Sequence, residues 1–249
     1  MNGPDSREEL VAPDAWLART LAVPTFALRP PFPAAPTGLV LQMEKAAASG
    51  DAFFFAKLPG TDAAAAAALE AAGFRQVDTQ VTLERGAEPA ATAPRVKVRP
   101  AEPRDRDAVL DIAGTSFRFS RFHQDPRIGL TAAHAVKRAW AANCLDGRRG
   151  EEVLVALDQD RPAGFLAVLL AQGAAIIDLI AVAAQNQRRG IGGALVDAFI
   201  GRWRNRATRL RVGTQQANTA SLRLYEGRGF RAAGTTRVLH AHWRAGRVR

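Results

Sequence analysis

Three glycines, Gly190, Gly192 and Gly193, follow two arginines, Arg188 and Arg189, in the run Val182-Ala-Ala-Gln-Asn-Gln-Arg-Arg-Gly-Ile-Gly-Gly-Ala-Leu195. The residues before them form an apolar strand, and those after them are spaced as an amphipathic helix. Glycines at a helix start leave the first N–H groups unobstructed, and the helix dipole adds positive potential there. A pyrophosphate fits such a loop, with both guanidinium groups supplementing the field. The same residues would also serve a tight strand-to-helix turn that binds nothing. Two familiar phosphate loops do not match. A dinucleotide fingerprint requires a third glycine where Leu195 stands, and a P-loop requires Gly-Lys-Ser/Thr, which is absent.

Strands and helices alternate around this loop. Val96 to Arg99 reads as a short strand, Arg104 to Thr115 as a helix, and Thr131 to Asn143 as a second helix with Trp140 on its apolar face. Apolar runs of strand length follow at Glu152–Leu157, Gly164–Leu170 and Ala175–Val182, the first two joined by the polar turn Asp158–Pro162. A helix from Gly190 to Trp203 comes next, then a strand Arg209–Gly213 and a helix Thr219–Arg228. Strands near Phe230 and from Thr236 to Trp243 close the pattern. Strands outnumber helices and come partly as hairpins, which argues for an α+β fold with a mixed sheet rather than a doubly wound one.

Upstream, Gly86–Pro94 is small, proline-containing and without periodicity, as linkers are. It divides the chain into an N-terminal domain (1–88), a linker (89–95) and a C-terminal domain (96–249). In the Ala-rich first part, Thr61–Ala72 opens with a Thr-Asp cap, Gly73 ends the helix, and Arg75–Leu83 alternates as a strand. Leu69-Glu-Ala-Ala-Gly-Phe-Arg75 lines up with Tyr225-Glu-Gly-Arg-Gly-Phe-Arg231, and the same offset pairs Thr79 with Thr235 and Leu83 with Leu239. One reading is two related halves, the first lacking the glycine loop and carrying Leu69 in place of Tyr225. The other is chance agreement around a common helix-glycine-strand pattern.

With 249 residues, 47% of them apolar and 23% charged, the chain can bury a sizeable core and reads as a soluble globular protein. The polar, acidic start is unlike a signal or transit peptide. The longest apolar stretch, Gly164–Ala184, is broken by Gln172, Gly173 and Asp178, so it reads as two strands and a turn, not a membrane span. The lone Cys144 has no intrachain disulfide partner, which fits a reducing cytoplasm. The net charge of +10 is uneven: from Gln187 onward there are fourteen arginines and no lysine against two acids, Asp197 and Glu226. Such a surplus favours an anionic partner, or simply a solvated arginine-rich surface. Few aromatics accompany it for base stacking, which argues against nucleic acid.

Gln187-x-x-Gly190-x-Gly192 resembles the Gln/Arg-x-x-Gly-x-Gly/Ala signature of the GCN5-related N-acetyltransferase (GNAT) superfamily. Asn218-Thr-Ala-Ser-Leu-Arg-Leu-Tyr-Glu-Gly-Arg-Gly-Phe230 is similar, over its full length, to the family's Asn-x-x-Ala/Ser-x-x-Leu-Tyr-x-x-x-Gly-Phe. Both stand in the expected order, and the likeness runs from Val96 to Trp243. It implies a GNAT fold with a degenerate GNAT-like N-terminal half, acetyl-CoA as co-substrate, and no metal. It assigns Gln187, Arg188, Arg189, Gly190, Ile191, Gly192 and Gly193 to the pyrophosphate of coenzyme A. Backbone groups of Ile180, Ala181 and Val182 would pair with the pantetheine arm like an added strand, and Asn218 would bond the same arm. Tyr225, the only tyrosine, takes the place of the acid that protonates the departing thiolate. A phenol of pKa about 10 can donate to a thiolate of pKa about 8–9. A backbone N–H exposed where strands splay would polarise the thioester carbonyl. A core aromatic on an amphipathic helix is the plainer reading of Tyr225. No general base stands out: Asp178 precedes the loop but would equally face solvent, and His134, His240 and His242 read as helix or strand surface.

Ser120-Arg-Phe-His-Gln-Asp-Pro126, the helix ending Lys-Arg-Ala-Trp-Ala-Ala-Asn143, and Leu210–Gln215 are similar to nucleotide-amino-sugar N-acetyltransferases within the superfamily. Arg211 stands where many other members carry glutamate. The likeness implies that Ser120, Arg121, Phe122 and His123 line an acceptor pocket for a dTDP-4-amino-4,6-dideoxy sugar, whose negative charge suits Arg121. His123 would contact the sugar, deliver a proton, or be held by a local hydrogen bond. The Pro30–Pro36 stretch departs from that group. Another amine (a protein N-terminus, an aminoglycoside, a small amine) and a non-catalytic acetyl-CoA-binding module are the alternatives. A polyamine would want carboxylates, which this basic half does not favour. Exposed sheet edges are compatible with a homodimer.

Overall fold

The computed structural model describes residues 10–32, 36–48, 50–86 and 96–248; the linker 89–95 and residues 33–35 of the proline-rich stretch lie outside them. In chain order the first elements are β1 (Val11–Pro13), α1 (Ala15–Leu21), β2 (Thr25–Leu28), α2 (Pro36–Ala47), β3 (Ala52–Pro59), α3 (Ala63–Ala71), β4 (Arg75–Arg85) and β5 (Val98–Pro100). Then come α4 (Arg106–Thr115), α5 (Leu130–Leu145), β6 (Glu152–Asp158), β7 (Arg161–Ala171) and β8 (Ala174–Val182). The last are α6 (Ile191–Trp203), β9 (Arg209–Gln215), α7 (Thr219–Glu226), β10 (Arg231–Arg244) and β11 (Arg247–Val248). The strands expected near Phe230 and from Thr236 are thus one strand. Two compact units result: Met1–Thr79 with Thr235–Arg249, and Gln80–Gly234. Thr235–Arg249, which the sequence reading placed in the C-terminal domain, joins the first unit.

In the first unit β1 is antiparallel to β2, β2 parallel to β3, and β3 antiparallel to β10. Leu39 and Met43 of α2, Leu69 of α3, Phe54 and Leu58 of β3, and Leu239 and Trp243 of β10 share its core. Alternation along β3 and β10 sends Phe53, His240 and His242 to the other face of the sheet. The His240 ring meets Phe53 edge-on at 4.8 Å. His240 and His242 are only 1% and 7% exposed, so they are interior groups rather than the strand surface expected.

In the second unit β5, β6, β7 and β8 form an antiparallel ladder, β8 runs parallel to β9, and β9 pairs antiparallel with Gln80–Arg85 of β4. Two-residue turns with both central residues left-handed close the hairpins: Gln159 and Asp160 (φ 48° and 61°), then Gln172 and Gly173 (φ 52° and 75°). That turn twist matches the right-handed twist of the strands. One face packs on α4 and α5 through Val109, Ala113, Ala141, Val155, Phe165 and Leu179. The other packs on α6 and α7 through Leu154, Leu166, Ile177, Leu195, Phe199 and Tyr225.

One irregularity sets the geometry of this sheet. Ala167 faces Leu179 while Val168 faces Ile177, so Asp178 is an extra residue in β8. A β-bulge turns two successive side chains to one face and bends its strand. Ala175 and Ile177 accordingly lie in the core under α6, whereas Leu179 and Ala181 lie in the core under α4 and α5. The Asp178 carboxylate points to that second face. It accepts from Trp140 Nε1 at 2.7 Å, Arg149 Nε at 2.6 Å and Arg149 Nη2 at 2.7 Å.

The two aligned segments found in the sequence adopt the same local structure. Gly73 and Gly229 are both left-handed, at φ 92° and 81°. Phe74 N donates to Leu69 O at 3.0 Å, and Phe230 N donates to Tyr225 O at 3.1 Å, the six-to-one bond that closes a helix with glycine. Gly229→Ala should cost about 1–2 kcal/mol, the left-handed penalty for an L-residue, because a Cβ there meets nothing closer than 3.9 Å. Gly73→Ala should cost more, since its Cβ would also stand 2.7 Å from a Val248 methyl; urea unfolding of both variants checks the order. Asp178→Ala should lower stability by about 2–3 kcal/mol, because it strips partners from the Trp140 N–H and the Arg149 guanidinium. Asp178→Asn, which still accepts from Trp140, should lower it less, and urea unfolding of both variants checks this.

Candidate active site

β8 and β9 pair only from Ala174 to Ile177 against Arg209 to Val212. Beyond the bulge β8 continues to Val182 and β9 to Gln215 without pairing each other. Asp178 to Val182 therefore have no ladder partner on the β9 side among the described residues, although Leu179 to Val182 remain paired to β7. An unpaired, half-buried strand edge of this kind can take an occupant that supplies matching amide groups.

At the end of that edge the chain turns into α6. Arg188 (φ 61°) and Gly190 (φ 82°) reverse it, and Gly190 is an N-cap with no side-chain bond to the first turn. The first N–H groups of α6 thus have neither intrahelical acceptors nor a side-chain cap, the arrangement that receives an anion. Gln187, Arg188, Arg189 and Gly190 are exposed, while Ile191 is buried beneath them. Gln187 Nε2 donates to Val182 O at 3.3 Å. Arg189 reaches Asp158 Oδ2 at 2.6 Å, and Asn186 Nδ2 donates to the same oxygen at 2.7 Å, tying the loop to the β6–β7 turn. Gly193 has a packing role as well: a Cβ there would collide with the Arg228 guanidinium. Arg228 Nε donates to Gly193 O at 3.2 Å and to Asp197 Oδ1 at 2.8 Å, locking α6 to the end of α7. Sequence reasoning missed this clamp, because Arg228 occupies an unconstrained position of its motif. Gly192 is less confined; a Cβ would meet Leu224 and Val182 at 3.6 and 3.7 Å.

Asn218 caps α7, its Oδ1 accepting from Ser221 N at 3.2 Å. Two turns on, Tyr225 is 2% exposed and packs edge-on against Phe230 at 6.0 Å. Ile180 and Val182 pack against the same core. Burial pushes the Tyr225 hydroxyl well above the ordinary phenol value, so it keeps its proton throughout the neutral range. Asp178, weighed as a base, is instead the held carboxylate of the bulge, with a side chain 9% exposed.

The loop between α4 and α5 carries the segment expected to meet the acceptor. Ser120, Arg121 and Phe122 are buried, and Ser120 Oγ lies 2.6 Å from His123 Nδ1, the local bond anticipated for this histidine. The Arg121 guanidinium stacks on Phe122 at 4.3 Å. His134 of α5 brings its ring to 5.2 Å from His123. One turn further, the buried Lys137 places its Nζ 4.6 Å from the Phe117 ring and 4.8 Å from Trp140. Burial first, then the positive neighbours His134, Lys137 and Arg118, holds His123 down to about 4. His134 and Lys137 were not anticipated; their spacing of three along α5, in line with Trp140, was the available signal. Among the described residues no group of three or more His, Cys, Asp or Glu could hold a metal ion, and no helix is long and apolar enough to cross a membrane.

Known proteins resemble this chain in sequence and in fold. The spore coat polysaccharide biosynthesis protein SpsD of Bacillus subtilis is 33% identical over 142 residues, covering 57% of this chain and 49% of that protein. The match therefore spans about half the length of this curated relative. A GCN5-related N-acetyltransferase from Sphaerobacter thermophilus has the same fold, with TM-score 0.63 at 16% identity over 93% of this chain and 75% of that one. So does a tandem GNAT protein from the clavulanic acid biosynthesis pathway, with TM-score 0.60 at 12% identity over 88% and 75%. The model of the acetyltransferase (GNAT) family matches residues 107–230, from α4 through the glycine loop to Phe230. Across that segment, which holds every element of the candidate site, the chain belongs to the acetyltransferase (GNAT) family.

Proposed function

We propose that the chain transfers the acetyl group of acetyl-CoA directly to the amino group of a nucleotide-linked amino sugar of the dTDP-4-amino-4,6-dideoxy type. The observation that carries the chemistry is the parting of β8 from β9 where it runs into the uncapped N-terminus of α6. Gln187 to Gly193 receive the coenzyme pyrophosphate on backbone N–H groups, with Arg188 adding charge. Ile180, Ala181 and Val182 offer their unpaired edge to the amides of the pantetheine arm, and Asn218 bonds the same arm. The neutral amine attacks the thioester carbonyl, a C–N bond replaces the C–S bond, and the amine gives up its proton to solvent water. Tyr225 donates its hydroxyl proton to the departing thiolate and recovers one from solvent. The raised proton affinity of Tyr225 keeps it in the donor form for each turnover.

Support for the acceptor comes from the relative named for spore coat polysaccharide biosynthesis and from the positive charge that Lys137 and Arg118 bring to His123 of the α4–α5 loop. The first unit, which has the matching helix-glycine-strand corner but no glycine loop, serves as a scaffold half of a tandem arrangement. A cytoplasmic setting, where acetyl-CoA is made and Cys144 stays reduced, completes the reading.

CoA release should be selective for dTDP-4-amino-4,6-dideoxygalactose over a panel of free amines. Turnover confined to a protein N-terminus, an aminoglycoside or a small amine would keep the acetyltransferase and discard the sugar. Tyr225→Phe should lower kcat by about 10²–10⁴-fold with acetyl-CoA affinity unchanged, as expected for loss of a general acid. Undiminished turnover in that variant would remove Tyr225 from the mechanism.

A further inference from the structure

The acid proposed for the thiolate and the loop proposed for the pyrophosphate sit on different helices, so their separation has to be fixed by the fold. Tyr225 lies on α7, which is only eight residues long. A helix that short depends on tertiary contacts for its position. The glycine loop opens α6, where Ala194 N donates to Gly190 O at 3.0 Å. Gly190 is the N-cap, so the N–H groups of Ile191, Gly192 and Gly193 remain for an anion.

One side chain touches both helices at those points. Arg228 Nε donates to Gly193 O at 3.2 Å, in the first turn of α6, and to Asp197 Oδ1 at 2.8 Å. Its Nη2 donates to Asp197 Oδ2 at 3.2 Å, completing a fork on that carboxylate. Its Nη1 donates to Leu224 O at 3.3 Å, the carbonyl of the peptide that leads into Tyr225. The Arg228 N–H donates to Tyr225 O at 2.9 Å, in the peptide that leaves it. Arg228 therefore bonds the peptides on both sides of Tyr225 as well as the first turn of α6. Its own backbone is held in turn, since Arg85 Nη1 donates to Arg228 O at 2.7 Å.

The glycine-loop signature leaves position 193 open and the Asn-to-Phe signature leaves 228 open, so the family pattern does not impose this fit. In this chain the two positions suit each other, because a Cβ at 193 would collide with Arg228 Nη2. The Asp197 side chain is 9% exposed and that of Arg228 25%, a pair better shielded than those on the open surface. We propose that Arg228 is a positioning residue, which holds the Tyr225 hydroxyl within proton-transfer reach of a thiolate whose place is set by the glycine loop. This role rests on Tyr225 as the acid of the proposed reaction. A proton passes over about 2.6–3.2 Å, and misplacing a reacting group by about 1 Å costs about 10²-fold.

The test is a double-mutant cycle on the full chain, with CoA release followed on the amine that turns over fastest. Arg228→Ala should lower kcat about 10–100-fold and leave KM for acetyl-CoA within about threefold, because the α6 N–H groups stay in place. Arg228→Lys, which can still donate to Gly193 O and Asp197, should recover most of the loss. In the Tyr225→Phe background Arg228→Ala should cost less than about threefold more. An equal loss in both backgrounds overturns the positioning role and leaves Tyr225 as the acid. Unchanged kcat in Arg228→Ala overturns it too. Full turnover in Tyr225→Phe alone removes the acid and the positioning role together. Should Arg228→Ala fail to fold, Asp197→Asn, which weakens the fork and keeps the arginine, takes its place in the cycle with a several-fold loss expected. If no amine turns over, the only tyrosine supplies the readout. With ¹³Cζ-labelled tyrosine, saturating CoA should shift the one signal in the wild type and leave it still in Arg228→Ala. A shift in both, or in neither, overturns the proposal.

Discussion

A single inserted residue, Asp178, separates the strands that the rest of the second unit is arranged around. Without it β8 would keep its alternation and its pairing with β9. With it, the side chains of Ile177 and Leu179 fall on opposite faces and the ladder to β9 stops at Ile177 and Val212. An acid turned into a helix–sheet interface is costly unless its oxygens are satisfied. Three N–H donors from Trp140 and Arg149 do so here, and Lys137 and Arg149 both lie against the Trp140 ring. The bulge is therefore fastened to α5 rather than floating in the sheet, and the splayed edge it creates has a fixed position. That edge runs directly into the glycine loop that opens α6.

The arginine surplus looks different once partners are assigned. Arg189 reaches Asp158, Arg202 reaches Glu152, Arg211 reaches Glu84 at 2.5 Å, and Arg228 reaches Asp197. These pairs draw on acids outside the basic segment for every case but Asp197. Exposed ion pairs contribute little stability each, about 0–1 kcal/mol. Their effect is positional: the glycine loop is tied to a hairpin turn, α6 to β6, β9 to β4, and α7 to α6. Much of what composition suggests as a docking charge is spent inside the fold. Arg188, exposed on the glycine loop, is one cation placed to act on a ligand.

Legibility in the sequence followed how local each cause was. The glycine loop, the helix α6 and the corner at Gly229 and Phe230 depend on residues adjacent in the chain, and their boundaries fall within a few residues of the sequence reading. The elements from β1 to β3 escaped it; in α2 the buried face is only Leu39, Met43 and Ala47, and it is blurred by the neighbouring Val40 and the exposed Leu41. The bulge was invisible because Asp178 in an apolar run looks like a solvent-facing polar residue of an alternating strand. Its partners Trp140 and Arg149 lie more than 25 residues away. The return of Thr235–Arg249 to the first unit was hidden for the same reason: strand pairing between β10 and β3 joins segments that no local pattern connects. Ser120 to His123 were singled out by likeness, whereas the approach of His134 to His123 needed the loop folded against α5.

The side chains available for covalent catalysis argue for direct transfer. An acetyl-cysteine route needs a thiolate, and Cys144 is the only cysteine. Burial, with the nearby Asp178 charge, pushes its thiol up to about 12, so it stays protonated and inert at neutral pH. Ser120 beside His123 has the outline of an activated serine, at 2.6 Å. That outline lacks the chemistry, because an imidazole held near 4 by burial and by Lys137 and Arg118 is too weak a base to take a hydroxyl proton. Its electrostatics run the other way from a triad, in which an acid stabilises the imidazolium. With both nucleophiles disabled, the proposed role of the chain reduces to holding a thioester along the splayed strand, keeping Tyr225 protonated, and positioning an amine. Direct attack needs those three things and no more.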